Sequence, residues 1–443
     1  MMYTESEILD FVRDEDVKFI RLAFFTLNGK QKNTSIMANQ LTLAFKNGVS
    51  FDASSIPGFQ GPNHSDLFLH PDPSTIEVLP WRPTTGKVVR MFCDIRYPDG
   101  TPYEKDCRYI LKNIVKKAKE EFGVEFKIGT EIEFYLMKLT ENGEPSKIPM
   151  DNGGYMDIAP EDKGENIRRE LCFTLEQMGI IPEASHHEAG PGQNEIDFKY
   201  ASPLTSADNT ATFKWAVCTN AAINGLYADF SPKPLFSNNR FSDKPGSGMH
   251  INISCCHEKD GDTTEYMRYT LAGILKHIEE ITIFLNPTHD SYNRLGEYDA
   301  PKYISYDYEN ISYDYENRSQ LIRIPAIRIP ATKEEKRIEL RSPDPELNPY
   351  IAFTLLIAAA LDGIKNKLTP PDAVSENLKT LPSSFNEACS IAKKSEFVKK
   401  VLGENLLKSF LKLQGMPPED YPLASSLSKR EQKIIKEFRI DEI

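Results

Sequence analysis

The sequence predicts an α+β protein of two domains. Three observations lead there: strands come first, a Pro/Gly linker signal sits near residue 98, and charged-face strands interleaved with long helices follow it. Residues 17–27 alternate apolar and polar, Asn28-Gly29 is a hairpin turn signal, and residues 30–38 return as a second strand. Pro57, Pro62, Pro71, Pro73, Pro80 and Pro83 mark a loop-rich stretch, and residues 88–95 form a further strand. Tyr97-Pro98-Asp99-Gly100 closes this unit, so the expected domains are residues 1–100 and 101–443. Residues 107–122 read as an amphipathic helix ended by Gly123. Further helices are expected near 162–179, 206–228, 265–285 and 348–365, with strands between them.

Length and charge narrow the function. A chain of 443 residues can bury a large core. Its 40% hydrophobic and 27% charged residues are ordinary globular values. A net charge of −12 argues against nucleic acid or an anionic membrane as a partner. No basic, apolar signal segment opens the sequence, and no apolar run reaches membrane-spanning length. Seven cysteines, an odd number, suggest reduced thiols, so a cytoplasmic location is expected. Cys255-Cys256-His257 lacks the second pair that a zinc finger needs.

The chemistry sits in short segments that alternate charged and apolar residues. Glu131 and Glu133 lie in Gly-Thr-Glu-Ile-Glu-Phe-Tyr, Glu188 in Ser-His-His-Glu-Ala-Gly, and Glu195 in Gly-Gln-Asn-Glu-Ile-Asp-Phe. His250 lies in Gly-Ser-Gly-Met-His-Ile-Asn-Ile-Ser, and Glu339 in Lys-Arg-Ile-Glu-Leu-Arg. Residues two apart on a strand share a face. Glu131 therefore pairs with Glu133 in direction, His250 with Asn252 and Ser254, and Glu339 with Arg337 and Arg341. Such alternation ordinarily marks a half-exposed antiparallel sheet. A solvent face, however, has no need for Gly-Ser-Gly-Met-His or for a doubled histidine before Glu. Carboxylates crowded on one side repel each other, and a divalent cation relieves the repulsion.

Together these segments resemble the type I glutamine synthetase family. Residues 50–58, 183–198, 245–254, 318–325 and 337–350 carry the likeness, which runs from about residue 15 to 365. The fold it implies is a small β-grasp domain followed by a catalytic domain built on a curved antiparallel sheet flanked by helices. The activity it implies is ATP-dependent joining of ammonia to the side-chain carboxylate of L-glutamate through a γ-glutamyl phosphate. Two or more Mg²⁺ or Mn²⁺ ions are implied, which five carboxylates and one imidazole suit. One ion would take Glu133, Glu188 and Glu195; the other Glu131, His250 and Glu339. Arg294 and Arg341 would clamp glutamate, with Gly246 giving close backbone approach. Arg318 would meet the transferred phosphoryl group. Arg323 and Arg337 would meet nucleotide phosphates, and Glu183 and Ser254 match nucleotide-contacting positions. Asp52 would take the ammonium proton, reaching in from a neighbouring subunit of a dodecamer of two stacked hexameric rings.

The chain also departs from the family pattern. Gly296-Glu-Tyr-Asp-Ala-Pro301 puts Asp299 where the flap carries Glu. Residues 304–310 repeat as 311–317, and Ile-Arg-Ile-Pro-Ala at 322–326 repeats as 327–331, so Arg328 competes with Arg323 for one role. Periods this short are local duplications, since solenoid units need about 20–50 residues. Glu376-Asn-Leu-Lys-Thr-Leu-Pro382 carries no tyrosine for covalent regulation, and a Lys/Arg-rich stretch replaces the usual Trp-Glu-containing C-terminal helix. The altered flap and lengthened loop leave open a γ-glutamyl ligase acting on a larger amine. A non-catalytic paralogue is the third reading, against which the six intact ligand candidates weigh.

Overall fold

The computed structural model describes residues 3–235, 244–257, 263–296, 300–306, 320–325, 336–370 and 379–415. Helix α1 (Glu5–Asp14) opens on a Thr4 capping box. Strands β1 (Val17–Phe25) and β2 (Gln31–Met37) follow, joined by the Asn28-Gly29 turn. Helix α2 (Leu41–Asn47) leads to β3 (Val49–Asp52), β4 (Asp66–Pro71), β5 (Glu77–Val78) and β6 (Lys87–Arg96). The sheet order is β2-β1-β6-β4-β3, with β5 also on β6. β1 and β6 run parallel, and the other pairs are antiparallel.

Helix α3 (Cys107–Phe122) has the predicted ends: the Asp106 side chain caps its start, and Gly123, at φ 65°, ends it. The second sheet begins with β7 (Val124–Leu139) and β8 (Pro145–Pro149). Helix α4 (Glu165–Gln177), β9 (Pro182–His187), β10 (Gln193–Phe198) and helix α5 (Pro203–Ile223) come next. Then come β11 (Leu226–Asp229), β12 (Met249–His257), helix α6 (Thr263–Leu285) and helix α7 (His289–Arg294). The last strands are β13 (Ile322–Arg323) and β14 (Ile338–Leu340), followed by helix α8 (Pro349–Asn366). Helices α9 (Phe385–Lys394), α10 (Glu396–Leu402) and α11 (Glu404–Gly415) complete the described chain.

The second sheet is antiparallel in the order β13-β14-β12-β7-β10-β9, with β8 and β11 also on β7. Its long central strand is buried on the helix side by Ile128, Ile132, Phe134 and Leu136. Helices α5, α6 and α8 supply the opposing apolar surface, α8 being buried almost all round. Strands interleaved with helices give the expected α+β fold.

The two sheets meet across buried charge. Arg108 on α3, 1% exposed, pairs with Asp208 at 2.9 Å, Asp72 at 2.9 Å and Asp94 at 3.1 Å. Tyr350 donates to Asp208 at 2.7 Å, and the Asn348 amide donates to the Thr26 and Leu27 carbonyls. Removing one partner would strand a buried charge, a loss of about 3–5 kcal/mol. The arrangement fixes the N-terminal sheet against the second one.

Three details differ from the sequence reading. Helix α5 stops at Ile223, because Gly225 turns the chain at φ 68° and residues 226–229 join β7 as a strand. Helices α1 and α2 lie in stretches to which the sequence reading gives no element. Helices α9 to α11 lie past the last predicted helix, where short apolar stripes repeat without a long periodic run. The seven cysteines are all free. No helix among the described residues is long and apolar enough to cross a membrane.

Candidate active site

Register does most of the assembly. Directly opposed residues of an antiparallel pair share a face and lie side by side. Glu131 on β7 faces His250 on β12 and Asp197 on β10. Glu133 faces Glu195, and Glu195 faces His186 on β9. Asn252 faces Glu339 on β14, which in turn faces Arg323 on β13. Six strands thus send their polar residues to the side away from the core.

Two ligand clusters result. Donor atoms of Glu131, His250 and Glu339 lie within 4.8 Å of one another, as do those of His186, Glu188 and Glu195. An octahedral ion with bonds near 2.1 Å separates its ligands by roughly 3–4 Å, so each cluster can close on one cation. The first cluster is the predicted trio. The second contains His186, whose Nε2 lies 2.9 Å from Glu188 Oε1. Glu133, predicted with Glu188 and Glu195, accepts hydrogen bonds from the Gln193 amide and the Gly248 N–H, both at 2.9 Å.

The charge environment differs along the face. Burial works against ionisation of Glu131, yet His250, Asn252 and Arg337 hold its carboxyl below the usual range. His250 is raised: burial and Arg341 act to lower it, and Glu131, Glu339 and Glu133 outweigh them. Arg323 donates to Glu339 at 2.7 Å, and Arg341 pairs with the other oxygen of the same carboxylate. Toward β10, burial lifts Glu195 well above the carboxylate range, reinforced by Glu133, Asp197 and Glu131. Asp197 is pushed up to about 6 by burial and by Glu131. His250 Nε2 and Asp197 Oδ1 are buried with no hydrogen-bond partner. Crowded, reluctantly ionised carboxylates beside an unpartnered imidazole nitrogen fit a divalent cation.

Other predicted residues fall at varied distances from this centre. Arg294 is fully buried, and its guanidinium donates to the carbonyls of Ser342 at 2.9 Å and Pro343 at 3.1 Å, bracing the chain after Arg341. Gly246 accepts from the Gln193 amide at 3.0 Å. Arg337 donates to Asn252 at 2.9 Å. Ser254 lies two positions further along β12, nearly buried. Glu183 is exposed on β9. Asp52 lies at the end of the N-terminal edge strand β3, exposed, its carboxylate accepting from Ser54 and Ser55. Asp299, Arg318 and Arg328 lie outside the described residues, as does most of both duplications.

Sequence reasoning assigned no role to His186, Gln193, Asp197, Asn252 or Gly248. The first four are polar residues within the quoted motifs whose backbone spacing puts them on the ligand face. Gly248 is a close-approach position. A Cβ there would lie 2.6 Å from Arg294 Nη2 and 3.0 Å from His250 Nε2, so only glycine lets these groups converge.

Comparison with known proteins bears on the family of the whole chain. Residues 16–98 match the family described as glutamine synthetase, beta-Grasp domain. Residues 104–431 match glutamine synthetase, catalytic domain, well past the residue 365 to which the motif resemblance extends. Glutamine synthetase of Methanosarcina mazei is 44% identical over 94% of this chain and 95% of its own. That of Staphylococcus aureus is 40% identical over 97% and 98%. Among solved structures, one titled "GmaS/ADP complex-Conformation 1" superposes with TM-score 0.79 at 25% identity, covering 98% and 99%. The Plasmodium falciparum glutamine synthetase shares the fold, with TM-score 0.80 at 23% identity over 97% and 98%.

Proposed function

The chain belongs to the glutamine synthetase family, and from that premise we propose that it joins ammonia to the side-chain carboxylate of L-glutamate at the expense of ATP. The observation that carries the reading is the pair of ligand clusters on one face of the sheet, Glu131 with His250 and Glu339, and Glu188 with Glu195 and His186, Glu133 lying opposite Glu195.

A carboxylate is a poor electrophile and must be activated. The γ-phosphoryl group of ATP passes to a side-chain oxygen of glutamate, ADP leaves, and an acyl phosphate results. Such transfer depends on positioning and charge neutralisation. Bound Mg²⁺ or Mn²⁺ would supply much of that neutralisation. Glu131, His250 and Glu339 would hold the ion on the nucleotide side, and Glu133, Glu188 and Glu195, with His186 beside them, the ion on the glutamate side. Arg323 and Arg337 would accept nucleotide phosphates, with Glu183 and Ser254 also on the nucleotide; Arg318 would meet the transferred group. Arg341 would take the glutamate carboxylate by bidentate donation. Gly246 leaves room for that substrate, and Arg294 holds the backbone behind Arg341.

Ammonium then loses a proton to Asp52, its nitrogen attacks the acyl carbon, and phosphate departs. The exposure of Asp52 at the end of an edge strand supports delivery to a neighbouring subunit in a dodecamer of two stacked rings. Asp299 would close the flap above ammonium. ATP, L-glutamate and ammonium are the substrates in this reading, and the cytoplasm is the compartment.

One assay tests it: phosphate release with ATP, glutamate and Mg²⁺, comparing ammonium with a panel of primary amines. Ammonium should be the preferred nucleophile. Preference for a larger amine would replace glutamine synthesis with a related γ-glutamyl ligation.

A further inference from the structure

A second buried network lies behind the Glu188–Glu195 turn, outside the reacting groups. Its centre is Asp151, just past β8 and 5% exposed. One carboxylate oxygen, Oδ1, accepts from the Gly192 N–H at 2.7 Å, the Gly153 N–H at 3.3 Å and His187 Nε2 at 3.0 Å. The other accepts from the Lys163 N–H at 3.0 Å. His187, 1% exposed, donates from Nδ1 to the Glu188 carbonyl at 2.6 Å. Its ring is therefore held at both nitrogens. A Cβ on Gly153 would lie 2.7 Å from His187 Nε2, so the backbone there is cut back to admit the ring.

A second arm reaches the other end of the turn. Asp162, 3% exposed, pairs with Arg168 through Oδ2 at 2.6 Å. Arg168 Nη1 also donates to Asn194 Oδ1 at 2.7 Å, and the Asn194 amide donates to the Gly192 carbonyl at 2.9 Å. Asn194 directly precedes Glu195.

We propose that Asp151 is a positioning residue for the Glu188–Glu195 ligand pair. Through His187 it fixes the backbone of Glu188, and through the Gly192 N–H it fixes the return of the turn toward Glu195. The proposal rests on the reading of Glu188 and Glu195 as holders of a divalent ion. A buried carboxylate is costly unless fully bonded, and every partner of Asp151 lies on this turn or on the segment that packs behind it. Groups that orient a metal ligand commonly change metal affinity 10–100-fold when removed.

Asp151→Asn keeps the shape but presents an amide N–H₂ to N–H donors, whichever way it turns. The test measures Mn²⁺ binding to the assembled, nucleotide-free enzyme by electron paramagnetic resonance. One class of sites should weaken about 10–100-fold, the other should stay unchanged, and KM for ATP should hold. His187→Gln, which leaves the Glu188 carbonyl without its donor, repeats the measurement should Asp151→Asn not assemble, and the same split is expected. Equal weakening of both classes, or a lowered Tm with Mn²⁺ affinity intact, overturns the positioning role. Glu188→Gln serves as the control. If it leaves both classes unchanged, the metal reading of that cluster fails instead.

Discussion

The two ends of the polar face handle the same problem, crowded negative charge, in opposite ways. Around Glu131, His250 and Glu339 the protein supplies its own cations. Arg323 and Arg341 both reach Glu339, and Arg337 supports Glu131 through Asn252 and its charge. Around Glu195 and Asp197 burial raises both carboxylates, with Glu133, Asp197 and Glu131 adding to the rise of Glu195 and Glu131 to that of Asp197. The lesson is that the first end balances its negative charge from within the chain, whereas the second leaves its carboxylates reluctant to ionise. An arginine-lined cluster can exchange its partners for nucleotide phosphate and metal. A carboxylate cluster without that support ionises fully only when a cation arrives.

Glu133→Gln and His250→Ala should break the comparison most visibly. Glu133→Gln removes a charge from the carboxylate-rich end, and turnover should fall by on the order of 10²–10³-fold. His250→Ala removes a ligand from the arginine-supported end and should chiefly raise the Mg²⁺ needed for ATP binding. Titrating Mg²⁺ in steady-state assays separates the two. Unchanged activity of both variants at limiting Mg²⁺ would remove the assignment of both clusters.

Subunit sharing is the next largest effect. Asp52 sits on the other sheet, with only local hydrogen bonds to Ser54 and Ser55. Inactive Asp52→Ala and inactive Glu339→Ala chains should therefore regain activity when co-assembled, because mixed interfaces restore some intact sites. Proven mixed oligomers with no recovered turnover would show that Asp52 does not complete a neighbour's site.

A smaller effect sharpens the electrostatic contrast. Asp197, held near 6, binds its proton more firmly in the folded chain than in the unfolded one. Between its ordinary value and about 6 the folded state carries the extra proton, so this group's contribution to stability falls as pH rises through that window. Glu131 behaves oppositely: its lowered value adds stability that is lost only in stronger acid. Mg²⁺ should therefore raise Tm more at about pH 7.5 than at about pH 5.5, by on the order of a few degrees. Asp197→Asn should shrink that difference. Equal metal-induced shifts at both pH values, measured by calorimetry, would contradict the contrast.

Much of this was legible in the sequence because strand alternation fixes which residues share a face. Glu131 with Glu133, and His250 with Asn252, follow from spacing alone. Cross-strand register does not. Nothing local tells that Glu133 faces Glu195, or that His186 joins Glu188 and Glu195 in one cluster. Helix α3 was readable because its apolar stripe is periodic and Gly123 ends it. Strand β11 was read as helix, since its four residues join β7 through a long-range pairing that propensity does not encode. Gly248 and Asp151 were silent because their roles depend on groups brought from distant segments.

The smallest expected effect concerns the duplications. The described start of the first one is already held against the start of the second: Ile322 N–H bonds the Ser305 carbonyl, Tyr306 bridges Ile322, and Ile304 N–H bonds the Lys379 carbonyl. A loop whose ends are pinned side by side changes little in closure entropy when shortened, roughly 0.6 kcal/mol per halving. Deleting one copy of residues 304–310 and one of 322–326 should leave Tm the same or slightly higher. The effect on catalysis should be larger than on stability, because Arg318 lies between the duplicated stretches, Arg323 lies within the second, and donors must sit within about 0.5 Å of productive positions. Activity with ammonium should rise, since the deletion restores family spacing around the arginines. Calorimetry and the phosphate-release assay on the same preparation check both halves. A folded deletion variant that loses activity would show that the added residues serve catalysis, and a larger amine would then become the substrate to test first.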